Sequence, residues 1–159
     1  MWKPMFEKDS AVMTRTDRLH LQHDVAEQLV ARIVAQMDHF EGRNDAYRIS
    51  VNLAKLLGVL RVHLAQEDLY LYPAMMKSDD EVAATLARRF ADEMGDLAEQ
   101  FEQFATCWSA SAAIVGRIEQ FRAEARAIFG ALTIRIAREN DELYPLAKTL
   151  LETEIRLAS

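Results

Sequence analysis

Residues 61–73 read RVHLAQEDLYLYP and residues 133–145 read TIRIARENDELYP. Superposed, the two stretches share Ala65/Ala137, Glu67/Glu139, Leu71/Leu143, Tyr72/Tyr144 and Pro73/Pro145. Four residues before the shared glutamate, one copy has His63 and the other Arg135. That spacing puts each pair on one helix face. Together with His23, the two copies offer two imidazoles and two carboxylates. This nitrogen and oxygen donor set suits iron, manganese or zinc. Arg135 keeps its proton and so is no ligand, but a guanidinium can fork onto carboxylates and supply fixed positive charge.

The elements that must position these residues are helices. Ala, Leu, Glu, Arg and Gln dominate the chain, while Gly and Pro number only 5 and 3. Apolar residues recur at steps of three and four, and no stretch alternates as a strand would. Helix starts are expected near Thr14–Asp17, near Asp45, at Ser78 acting as a cap, and between Ala112 and Ile118. Their expected ends are Phe40, Met76, Trp108 and Tyr144, and a short tail helix follows from Pro145 to Leu157. Pro73 should bend or loosen the second helix, and SASAAIVG reads as a soft connection. The expected fold is all-α: an antiparallel up-down-up-down four-helix bundle over residues 14–159, preceded by an arm at residues 1–13 in which Trp2 and Phe6 are free to lie across the bundle.

Each inward stripe is apolar except at one level. The exceptions are His23 on the first helix, His63 and Glu67 on the second, and Arg135 and Glu139 on the fourth. At about 1.5 Å per residue, His23 and His63 reach nearly the same height. Polar groups gathered in one core layer must pair with one another or bind metal, because burying them unpaired is costly.

Composition narrows the function. The chain has 159 residues, half of them hydrophobic, and a formal net charge of -6. An acidic chain with no basic cluster is a poor partner for nucleic acid or an anionic membrane. No apolar run approaches a membrane span. Cys107 is the sole cysteine, so no disulfide forms within the chain, and a cytoplasmic location is expected. Cys107 is expected to be an inert thiol near the core, and Tyr72 and Tyr144 to pack at the end of the bundle.

HLAQEDLYLYP and RIARENDELYP resemble the second- and fourth-helix signatures of hemerythrin-like (HHE, cation-binding) domains. LQHDV and FADEMGDL resemble the first- and third-helix segments. The resemblance implies a four-helix bundle with a non-haem di-iron centre that binds dioxygen or nitric oxide, senses iron or buffers it. It implies His23, His63, Glu67 and Glu139 as metal ligands. It also implies two further histidines, at positions held here by Met94 and Arg135. Both belong to the second metal, so the expectation is one iron ion, with zinc or manganese as alternatives, and Arg135 in place of the second. His20 at the rim and Tyr70 on the inward stripe are candidates to support the ligands from behind. No catalytic residue is assigned. Two other readings stand beside this one: a metal-free structural or regulatory bundle acting through protein contacts, and a mononuclear iron enzyme acting on peroxide or dioxygen.

Overall fold

The computed structural model describes residues 14–157, with side chains from 14 to 151. The arm expected at residues 1–13 lies outside the described residues. Every element among them is helical, and no strand occurs.

Helix α1 spans Arg15–Asp38. Thr14 and Asp17 form its capping box, each side chain accepting from the other's backbone N–H. Gly42, at φ 151°, turns the chain into α2 (Arg43–Gln66). A positive φ of this kind favours a residue without Cβ. One π-helical turn, Glu67–Leu71, joins α2 to α3 (Tyr72–Met76). Helix α4 spans Glu81–Cys107 and a short α5 spans Ser111–Gly116. Helix α6 runs Ile118–Arg138, and a second π-helical turn, Glu139–Leu143, joins it to α7 (Tyr144–Leu157).

Two local expectations need correction. Ser78 does not cap α4; its hydroxyl donates to the Met75 carbonyl and so closes α3. Asp80 is the cap, accepting from the Val82 and Ala83 N–H groups. An ionised carboxylate there also meets the positive end of the helix dipole. The expected soft connection is α5, held in place by the fully buried Ile114.

The prolines act earlier in the chain than a simple bend at Pro73 would. A proline ring clashes with the carbonyl four residues back and has no N–H to offer it. The strain is taken up by widening the turn just before Pro73 and just before Pro145. In each turn the tyrosine N–H reaches back five residues, Tyr72 to the Glu67 carbonyl and Tyr144 to that of Glu139. An i to i+5 turn carries one residue more than an α turn. Each tyrosine therefore stands above its glutamate, where an α-helix would carry it to another face. The extra residue also turns Tyr70 away from the core.

Helix α1 packs on α2, α2 on α4, α4 on α6 and α6 on α1. Contacts between neighbours run end to end. Gln22 meets Gln66 while Gln36 meets Asn52, and Trp108 meets Glu124 while Phe90 meets Arg135. The core lies in two apolar clusters. One holds Ile33, Leu53, Leu56, Phe101, Phe121 and their neighbours. The other holds Leu19, Leu71, Met75, Phe90, Leu143 and their neighbours. Each large apolar side chain buried there contributes about 1.5–3 kcal/mol. His23, His63, Glu67, Arg135 and Glu139, all 5% exposed or less, interrupt the stripes between the two clusters.

Candidate metal centre

Helix α1 supplies His23, α2 supplies His63, and the two π turns begin at Glu67 and Glu139. His23 Nε2 lies 3.1 Å from His63 Nε2 and 2.9 Å from Glu139 Oε2. His63 Nε2 lies 3.7 Å from the same Glu139 oxygen. These three residues form the one group of three or more His, Cys, Asp or Glu among the described residues whose donor atoms converge as a metal site requires. Donor atoms about 2.0–2.1 Å from a tetrahedral metal stand roughly 3.3 Å apart, close to these separations.

The outer nitrogens of both imidazoles are committed. His23 Nδ1 lies 2.8 Å from Asn140 Oδ1, and His63 Nδ1 lies 3.0 Å from Gln22 Oε1. The Gln22 amide nitrogen donates to Gln66, which holds its oxygen towards His63. An amide oxygen only accepts, so each Nδ1 must carry a proton and donate it. In the neutral ring, Nε2 is then a bare lone pair. Two such lone pairs face each other and the Glu139 carboxylate. That arrangement is repulsive unless a cation or an added proton sits among them. The donors therefore fit a metal ion, and an outer hydrogen bond that sets the tautomer is the usual support for a histidine ligand.

Glu67 was expected in the same ligand set but is engaged differently. Its Oε1 accepts from Tyr144 at 2.9 Å and its Oε2 from Tyr72 at 3.1 Å. Its nearest approach to the imidazoles is 3.5 Å, from Oε1 to His63 Nε2. The tyrosines do more than pack at the end of the bundle, because both hydroxyls enter this network. Burial pushes both phenols up, and the neighbouring Glu67 and Glu139 charges push them further.

Arg135 points inward, but it does not fork onto both glutamates. Its Nε donates to Glu139. Its Nη2 donates to the Tyr72 hydroxyl and to the Phe90 carbonyl, each at 2.9 Å. Tyr72 then donates to Glu67, so the guanidinium reaches the second carboxylate through a phenol. The Phe90 ring lies 4.4 Å from the guanidinium carbon, a cation–π contact. Among the described residues Arg135 Nη1 has no hydrogen-bond partner, and it faces Glu93 at 3.7 Å. Burial works against the Arg135 charge, but Glu139, Tyr72 and Glu67 outweigh it and raise the group further.

The same balance governs two other groups. Burial disfavours charge on His63, yet Glu139 and Glu67 push it up to about 9. Burial disfavours charge on Glu139, yet His23, His63 and Arg135 hold it down at about 2. Without metal, a proton on His63 fits between the lone pairs.

The remaining candidates fall outside this centre. Met94 lines a narrow apolar cleft with Leu60, Leu64, Leu97 and Leu132, which is core packing. Tyr70 is 52% exposed, contrary to its expected inward position, and lies under the Arg15 guanidinium. His20 is half-buried, with its ring edge-on to Tyr144. Cys107 is exposed, not near-core. Sequence reasoning missed Gln22, Asn140 and the Phe90 carbonyl. The repeated Tyr-Pro was a visible signal for the two phenols; a lone Gln or a backbone oxygen leaves none.

A family model described as Hemerythrin HHE cation binding domain matches residues 14–147. No curated protein and no solved structure matches the chain.

Proposed function

The chain belongs to the hemerythrin HHE cation-binding family, and from that premise we propose that it holds a single transition-metal ion, iron in preference to zinc or manganese, on His23, His63 and Glu139. The observation that carries this reading is the pair of imidazole Nε2 atoms, held 3.1 Å apart by amide oxygens behind the rings and flanked by a carboxylate. Glu67 stands beside the cluster and positions the two phenols. Bound iron would supply a site for dioxygen or nitric oxide, and the role is sensing or buffering of metal or gas. Arg135 takes the place of a second ion, which explains why one metal suffices to balance the two glutamates. The end-to-end contacts between neighbours support an antiparallel up-down-up-down bundle around this layer. The single cysteine and the acidic surface fit a cytoplasmic protein that binds neither nucleic acid nor membrane, and no helix among the described residues is long and apolar enough to cross a membrane.

Metal analysis of the protein purified from iron-supplemented cells tests the proposal. About one equivalent of iron, lost in His63→Ala, is the expected outcome. No metal, together with no thermal shift on adding ferrous or zinc ions, would overturn it. That result would favour the metal-free regulatory bundle, which Arg135 supports by already neutralising one glutamate.

A further inference from the structure

Tyr72 and Tyr144 occupy the same place in the repeated phrase, yet their hydroxyls meet different surroundings. Tyr72 accepts from Arg135 and donates to Glu67. Tyr144 Oη lies 3.3 Å from His23 Nε2 and 3.4 Å from His63 Nε2, the two inward-facing imidazole nitrogens. With the 3.1 Å separation of those nitrogens, the three atoms form a nearly equilateral triangle. Glu139 Oε2 forms a second triangle on the same nitrogen–nitrogen edge, with sides of 2.9 and 3.7 Å. The Tyr144 ring lies nearly parallel to that of His23, 5.3 Å between centroids, and makes a T-shaped contact with His20. The ring is 1% exposed, so its direction is set by packing.

We propose that the Tyr144 phenol oxygen is a fourth metal-binding donor beside His23, His63 and Glu139, and that its sequence twin Tyr72 is not. The inference deepens the metal-binding reading and rests on it. A phenolate is a hard anionic oxygen donor, which selects a ferric ion over softer metals. Ligation by Tyr144 would break its O–H bond and leave the electron pair on its oxygen, and Glu67 Oε1, which accepts that hydrogen bond at 2.9 Å, is placed to take the proton. Tyr72 donates to the same glutamate, but its oxygen faces the Arg135 guanidinium and not the two imidazole nitrogens.

Phenolate bound to ferric iron absorbs in the visible by ligand-to-metal charge transfer, so the test is spectroscopic. The full chain is loaded with ferric iron, and its iron content and visible spectrum are read on the same sample. The expected result is a visible band whose resonance Raman spectrum contains tyrosinate ring modes. Tyr144→Phe should lose the band completely, and Tyr72→Phe should keep it. If Tyr144→Phe fails to fold, the assignment still follows from wild-type ring modes together with a band surviving Tyr72→Phe, because Tyr47 and Tyr70 are 65% and 52% exposed. Iron bound without the band overturns this inference and leaves the metal-binding reading standing. A band that survives Tyr144→Phe also overturns it. Failure of the wild-type chain to retain any iron overturns both.

Discussion

The stretches 63–73 and 135–145 are built to one plan and serve opposite electrostatic ends. Each has a glutamate opening a π turn, a tyrosine raised above it, and a proline that forces the widening. Four residues before the glutamate, the first stretch offers a lone pair and the second a fixed positive charge. Around His63 lie the His23 imidazole and the Glu67 and Glu139 carboxylates, which can share a proton or a metal ion. Around Arg135 the cation is built in, with Glu139, Tyr72 and the Phe90 carbonyl as its hydrogen-bond partners. A shared backbone device thus supports either chemistry, and one side chain decides which.

The largest effect should come from removing the built-in charge. Arg135→Leu removes one donor from Glu139 and one from Tyr72 in a layer 5% exposed or less. Loss of one partner from a buried pair costs about 3–5 kcal/mol. A chemical denaturation midpoint should fall accordingly, and added ferrous ion should recover part of the loss. A midpoint within experimental error of the wild type would mean that the two halves are not electrostatically complementary.

The next effect is a pH dependence of the metal-free protein, and the two limbs have opposite signs. His63 is raised from 6.5 to about 9 on folding, so its stabilisation is present in full below pH 6.5 and is lost as pH rises through 9. Glu139 is lowered from 4.5 to about 2, so its stabilisation is present above pH 4.5 and is lost as pH falls through 2. Stability should therefore be greatest between these limits and decline by a few kcal/mol on the alkaline side. Metal should flatten that alkaline limb, because it takes the neutral imidazole. Thermal melts with and without ferrous ion read this directly, and identical alkaline limbs would count against His63 as a ligand.

A smaller effect separates the halves through their supports. Gln22→Leu removes the acceptor behind His63 Nδ1 and should weaken metal binding about 10–100-fold with little change in fold. Calorimetric titration measures it. As a control, Arg61→Ala breaks the exposed pair with Glu102 and should leave metal content and melting temperature unchanged.

Much of this could be read from residue types and spacing. The helices follow from the three-and-four periodicity. His23, His63, Arg135 and Glu139 stand out because each is a polar residue on an apolar stripe. Tyr70 was misplaced because the same periodicity was carried unbroken through a turn that holds one residue more. Ser78 and Asp80 are both competent caps, and only the backbone path after Met75 selects between them. Glu67 looked equivalent to Glu139 because the repeat makes them so. Its two phenol partners, one of them from the other copy, set it apart.

The local chemistry was therefore determined by the sequence itself: a helical chain, one polar core layer, a cation in one copy and an imidazole in the other, and a proline after each tyrosine. Those are properties of single residues and of their spacing along one helix. The tertiary structure decided which nitrogen of each imidazole faces inward and which tyrosine faces those two nitrogens. It also decided that Arg135 reaches Glu67 only through Tyr72. Each of these depends on an atom brought in from another helix, and hydrogen bonds across a core are set by distances that spacing along one chain does not specify.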